Sequence, residues 1–162
     1  MALNPNFTNG SANVAWAMER LRAAGMVVIP AIADASGKGR MAATLADPAL
    51  RGQHVADLVA LVVNNGYDGL DLDYENFAFV DGSRTWDATL PNWTTFVAEL
   101  GAALHAQGKL LSATVPGPCD TRNRCGGRYG YWVYNIPVIA PHVDRIRIMA
   151  YDYTVKSIGP IA

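Results

Sequence analysis

The segment Asp68-Gly69-Leu70-Asp71-Leu72-Asp73-Tyr74-Glu75 concentrates the chain's candidate chemistry. On a strand, successive side chains alternate faces, so Asp71, Asp73 and Glu75 share one face while Leu70, Leu72 and Tyr74 share the other. Neighbouring acids on that face stand about 6.5–7 Å apart along the strand. Strands of a parallel sheet ordinarily read as near-continuous apolar runs, so three carboxylates on one of them call for a cation or a chemical task. Like charges held together cannot all ionise freely, and at least one proton is retained with a raised pKa. Such a carboxyl is a general acid poised for work near neutral pH. Glu75 comes last on the strand. Asp73 is placed to share a proton with it or to turn toward a substrate group, and Asp71 sits deeper, where it holds Asp73. A Ca²⁺ or Mg²⁺ site and a polar, exposed edge strand are the competing readings. The spacing does not fit an EF-hand loop, and alternate residues on one strand wrap an ion poorly. Asp68-Gly69 by itself reads as the turn into the strand.

A fourfold alternation of helix and strand must position these acids. The first helix is expected from about Ser11, its N-cap, to Ala24, with Val14, Met18 and Leu21 as its apolar stripe and Gly25 as its stop. The second begins at Asp47-Pro48, a cap followed by a proline where no N–H is needed, and ends at Asn65-Gly66. The third begins near Asn92, buries Trp93, Phe96, Val97, Leu100 and Leu104, and stops at Gly108. A shorter fourth spans Tyr134 to Ala140, with Pro137 inside it and Pro141 just beyond bearing on its limits. Each helix is followed by a short apolar or alternating run: MVVIPAIAD, YDGLDLDYE, KLLSATVPG and RIRIMAYDY. The glycine stops fall at 25, 66 and 108, so they are spaced by 41 and 42 residues. Helices alternating with strands at this period mean βα units, a parallel sheet and right-handed crossovers. Four units fill 162 residues, whereas a (β/α)8 barrel takes about 250. The α/β fold expected is therefore about four βα units of a TIM-type barrel, a partial barrel occupying residues 1–162 as one domain. A small, open, doubly wound sheet is the competing architecture. No GxGxxG or GxxxxGK[ST] follows any strand, which removes its nucleotide-binding version.

Composition bounds the rest. Thirteen basic and fourteen acidic side chains leave a net charge of −1, and 51% of residues are apolar. That balance gives no electrostatic reason to bind nucleic acid, and it supplies ample material for a core. No apolar stretch reaches the roughly 18 residues of a membrane span, and the opening MALNPNFTNG shows no signal-peptide pattern. Cys119 and Cys125 enclose a polar, Arg-rich loop and can close a small disulfide or stand as free thiols; the loop context favours the disulfide. His54, His105 and His142 lie in three separate elements, so packing or surface roles are expected for them. No metal or cofactor is expected. Trp86 lies after the acidic strand, and Tyr129, Tyr131, Trp132 and Tyr134 cluster after the third. Such rings either stack on sugars or pack; Trp86 and Tyr134 are counted here as candidate substrate contacts, while Trp93 and Phe96 belong to the core stripe.

DGLDLDYE resembles the DGxDxDxE signature of glycoside hydrolase family 18, the chitinase-like family, and Met149-Ala150-Tyr151-Asp152 resembles its second signature, MxYD, two units later. The pattern, including HAQGKLLSATVPG and MAYDYTVKSIGPIA, is most similar to bacterial relatives of spore-cortex and peptidoglycan N-acetylglucosaminidases. It covers nearly the whole chain and corresponds to about the third through sixth units of the family's barrel. AIADASGKG departs from the family's glycine-rich third-strand motif. Strict alternation also sets Tyr151 and Asp152 on opposite faces unless the strand ends or bulges there.

The resemblance implies a substrate-assisted, retaining glycosidase acting on β-linked N-acetylglucosamine in chitin, peptidoglycan or an N-glycan core. Glu75 would serve as general acid and then base, Asp73 would orient the sugar's acetamido group, Asp71 would support Asp73, and Tyr151 would donate to the acetamido oxygen. Asp152 and Met149 would complete the floor, and Asp68 is carried as a further binding candidate from the same signature. An extracellular or cell-envelope setting follows from such substrates. The alternative is a non-catalytic glycan-binding remnant or an inactive fragment of a longer hydrolase. A half-barrel leaves sheet edges and interior apolar surface uncovered, so self-association is also expected.

Overall fold

The computed structural model describes residues 12–119, 124 and 127–150. Helix α1 covers Ala12–Ala23, α2 Arg40–Ala46, α3 Pro48–Asn64, α4 Trp86–His105 and α5 Ile136–Ile139. Strands β1 (Ala31–Ala33), β2 (Gly69–Asp73), β3 (Leu110–Pro116) and β4 (Arg145–Met149) alternate with them. All neighbours pair in parallel and in sequential order, β1-β2-β3-β4. A doubly wound sheet reverses its strand order partway across; this one does not, so the open-sheet alternative gives way to consecutive βα units of a barrel-type sheet.

The repeated stop is the same device three times. Gly25, Gly66 and Gly108 each have φ between 63° and 66°. In each case the glycine N–H donates three residues back, and the following N–H reaches five residues back: Met26 to Leu21, Tyr67 to Val62 and Lys109 to Leu104. This left-handed closure satisfies the last carbonyls of the helix and turns the chain toward the next strand. At the other end of α3, the Asp47 carboxylate accepts from the N–H groups of Ala49 (2.8 Å) and Leu50 (3.1 Å), with Pro48 at the first helical position.

The helices bury one face of the sheet. Leu70, Leu72, Leu111, Ala113 and Val115 from the strands pack with Leu58, Leu61 and Val62 of α3 and with Trp93, Phe96, Val97, Leu100 and Leu104 of α4. Trp93 and Phe96 are thus core residues, as their helical spacing suggested. His54 is buried, its Nε2 lying 2.7 Å from the Tyr74 hydroxyl and its ring stacked on Phe96. Burial lowers its pKa, so it is a neutral packing histidine. His105 instead pairs with Asp144 at 2.9 Å.

Three expectations are revised. Helix α2 was not anticipated: its N-cap is Gly39 in the left-handed region with no side-chain cap, so it carries no start signal. Helix α4 begins at Trp86 rather than near Asn92 and holds Pro91 in its interior. The expected fourth helix is a broken series, with Trp132–Tyr134 and Ala140–His142 as 3₁₀ turns on either side of α5. Asn135 interrupts it at φ 46°. Ser11, the expected cap of the first helix, lies outside the described residues.

Candidate active site

Strand β2 presents its acids as alternation requires. Leu70, Leu72 and Tyr74 are buried against the helices, which puts Asp71, Asp73 and Glu75 on the opposite face. Immediately after Glu75 the chain turns back on itself: the Glu75 carbonyl accepts from the N–H groups of both Ala78 and Phe79 at 3.0 Å. A π-type turn, Phe77–Asp81, follows, and such turns are frequent at functional sites. The turn is pinned twice more. The Asn76 side-chain amide donates to Asp34, just past the end of β1, at 2.8 Å, and Gly39 N–H donates to the buried Asp81 carboxylate at 2.6 Å. Glu75 is thereby held at the C-terminal end of the sheet, where barrel folds place their chemistry.

The three acids differ in surroundings. Asp71 is 2% exposed; its Oδ2 accepts from the Thr114 hydroxyl at 2.6 Å and from Arg147 Nη1 at 3.4 Å. Asp73 is part-buried, and its Oδ1 lies inside with no partner among the described residues. Burial, and then the charge of Asp71, raises the Asp73 pKa. Burial, and then the charge of Asp73, raises that of Glu75. The outer pair therefore holds protons to higher pH than ordinary carboxyls, and Glu75 has the character of a general acid. Among the described residues, no group of three or more His, Cys, Asp or Glu is arranged to hold a metal ion.

Other candidates divide. Met149 ends β4 opposite Pro116 and, by alternation from Arg147, shares the face of the acids. Tyr151, Asp152 and Cys125 lie outside the described residues. Cys119 is disulfide-bonded. Asp68 stands just before β2. Its carboxylate accepts from Val28 N–H at 2.7 Å, and its carbonyl accepts from Leu110 N–H at 2.9 Å, so it ties neighbouring segments of the sheet together. Trp86 and Tyr134 are both buried. Trp86 is the first residue of α4, and its indole donates to the Phe77 carbonyl. Tyr134 is fully buried, and its hydroxyl donates to the Tyr74 carbonyl at 2.6 Å, behind the acidic strand. Rings nearer the surface include Phe79 and Tyr129, which are exposed, and Tyr131, which meets Phe79 edge-on at 5.3 Å.

Sequence reasoning missed Thr114 and Arg147, the two donors to Asp71. The signal was present in RIRIM, where arginines recur at alternate positions of a parallel strand. An arginine at such a position on a strand needs a partner on the same face.

Comparison with known proteins agrees with this geometry. The chain matches the family model for Glycosyl hydrolases family 18 over residues 10–162. No curated protein sequence matches it. It is similar in structure to a class V chitinase of Pseudomonas fluorescens, with 25% identity, a TM-score of 0.72, and coverage of 92% of this chain and 43% of that one. Catalytic domain 2 of the Group II chitinase of Ostrinia furnacalis, solved with a penta-N-acetylchitooctaose, shows 26% identity, a TM-score of 0.67, and coverage of 83% and 34%. A Bacillus subtilis protein described as a sporulation-specific glycosylase shares the fold at 24% identity and a TM-score of 0.74, covering 95% and 49%. The chain thus spans less than half the length of these solved structures. With the family model matched from residue 10 to residue 162, the chain belongs to glycoside hydrolase family 18.

Proposed function

We propose that this chain is the catalytic portion of a glycosidase that cleaves β-1,4-linked N-acetylglucosamine glycans, chitin or peptidoglycan, by substrate-assisted retaining catalysis. The observation that carries the reading is the acidic row of β2, in which burial and neighbouring charge raise the pKa of both Asp73 and Glu75 at the C-terminal end of the sheet. Glu75 donates its proton to the glycosidic oxygen. The 2-acetamido carbonyl of the sugar attacks its own anomeric carbon, Asp73 receives the acetamido N–H, and Asp71 steadies Asp73. Water then opens the oxazolinium ring with Glu75 as base, so the configuration is retained. Tyr151, Asp152 and Met149 are assigned to the acetamido end of the site. The oligosaccharide bound by the Ostrinia domain is a ligand of this class.

An extracellular or cell-envelope location suits these substrates. The Cys119 disulfide supports it, because such bonds persist in oxidising compartments. No described helix is long and apolar enough to cross a membrane. A non-catalytic glycan-binding role on the same fold is the second reading. Mass spectrometry of products from chitohexaose and from muropeptide-bearing glycan strands separates the two. The parent should release products and Glu75→Gln should be slower by about 10²–10⁴-fold, the usual contribution of a general acid. Glycan binding without products from the folded parent would establish the second reading.

A further inference from the structure

The deepest acid of the row is held by a residue two strands away. Arg147 lies on β4 and Asp71 on β2, with β3 between them. In register, Arg147 stands beside Thr114, and Ser112 stands beside Asp71. The intervening strand therefore offers only short side chains on this face, and the guanidinium crosses it to come within 3.4 Å of Asp71 Oδ2. The Thr114 hydroxyl, itself on β3, donates to the same oxygen at 2.6 Å. Burying a carboxylate to 2% exposure is costly unless it is paired and hydrogen-bonded. A guanidinium supplies a charge that does not titrate in the working range of an enzyme.

We propose that Arg147 is a positioning residue which, with Thr114, holds the Asp71 carboxylate in one orientation beneath Asp73, so that the acidic row carries its cation at the inner end. This rests on the glycosidase reading and adds to it what steadies the inner end of the row. The influences run outward in order: the charge of Asp71 raises Asp73, and that of Asp73 raises Glu75. Among the described residues, the other charged groups toward this face are few. Asp34 follows β1 and is bonded to Asn76, β2 contributes Asp73 and Glu75, β3 contributes none, and β4 adds Arg145.

A pH titration of the carboxyl carbons in ¹³C-Asp/Glu-labelled full chain tests this without requiring turnover. The parent, Arg147→Met and Arg147→Lys are compared, with folding checked in the same spectra; Arg147 is half exposed, so the variants retain the core. Arg147→Met should displace the coupled titration of the row toward higher pH by about half a pH unit. That is less than the 1–3 units of a close, fully buried pair, because solvent screens the guanidinium. Arg147→Lys should keep most of the parent's curve. Superimposable curves for Met and parent would overturn the proposal, as would equal displacement by Met and Lys, which would make the effect one of shape and not charge. Because the readout is protonation, a chain that titrates as expected yet releases no product defeats the glycosidase reading alone. A chain that hydrolyses glycan with an unmoved row defeats this proposal alone.

Discussion

At the scale of residues, the acidic row sets function against stability. Asp73 and Glu75 bind protons more tightly in the folded chain than as ordinary carboxyls. A raised folded pKa means that the native state holds more protons than the unfolded one between the ordinary value and the raised value, so stability falls as pH rises through that window. Below the ordinary carboxylate range both states are protonated, and the penalty vanishes. Asp73→Asn should therefore raise the melting temperature at pH 7 and leave it nearly unchanged near pH 3, while abolishing most turnover. Thermal melts at the two pH values check this; an equal effect at both would show that the gain is not electrostatic. The alternation of DLDYE was legible because period 2 is a local property of the strand. The Arg147–Asp71 contact was not, because it depends on the register of two strand pairs that no local pattern specifies. The partners of Asp68 and Tyr134 were unreadable for a related reason. Their hydrogen bonds, from Val28 N–H to the one and from the other to the Tyr74 carbonyl, join segments that no local pattern brings together.

At the scale of elements, the frame depends on one close approach. A Cβ on Gly69 would fall onto the carbonyl oxygen of Leu110, its partner across the β2–β3 ladder. The glycine of the DG pair thus serves the sheet, letting β3 close up at the start of the acidic strand. Gly69→Ala should cost about 1–3 kcal/mol, the range for overpacking a tight interior, read as a lowered denaturation midpoint with an unchanged slope. A midpoint within error of the parent's would show that the strands can separate there without loss. The strong punctuation was readable: Asp47-Pro48 for the start of α3, and three glycines spaced by 41 and 42 residues for the stops. Weakly punctuated pieces were not. Helix α2 has a glycine at its N-cap and only seven residues. Helix α4 carries Pro91 past its first turn, where the missing N–H would have served the Asp87 carbonyl, and the proline obscures a start at Trp86.

At the scale of the whole molecule, the sheet has helices on one face and acids on the other, and its outermost described strands differ in character. Strand β4 carries Arg145 and Arg147, and charges of this kind resist addition of another strand. Strand β1 has only alanine and isoleucine, and it follows Met26 and Val27, which are 55% and 57% exposed. Uncharged edge strands beside exposed apolar side chains are templates for association. We therefore expect the isolated chain to self-associate through its β1 side. Sedimentation velocity should show species heavier than 17.4 kDa, with the heavier fraction growing with protein concentration. Val27→Lys should reduce that fraction, because a charge beside the edge disfavours pairing while the exposed position leaves the core intact. A single monomeric boundary at all concentrations, together with no binding of an apolar-surface dye, would reject the idea. Association unchanged by Val27→Lys would instead place the contact elsewhere on the sheet. If the β1 side is the contact, the row of Asp71, Asp73 and Glu75 lies one strand from the interface, and glycan turnover per chain should then vary with protein concentration.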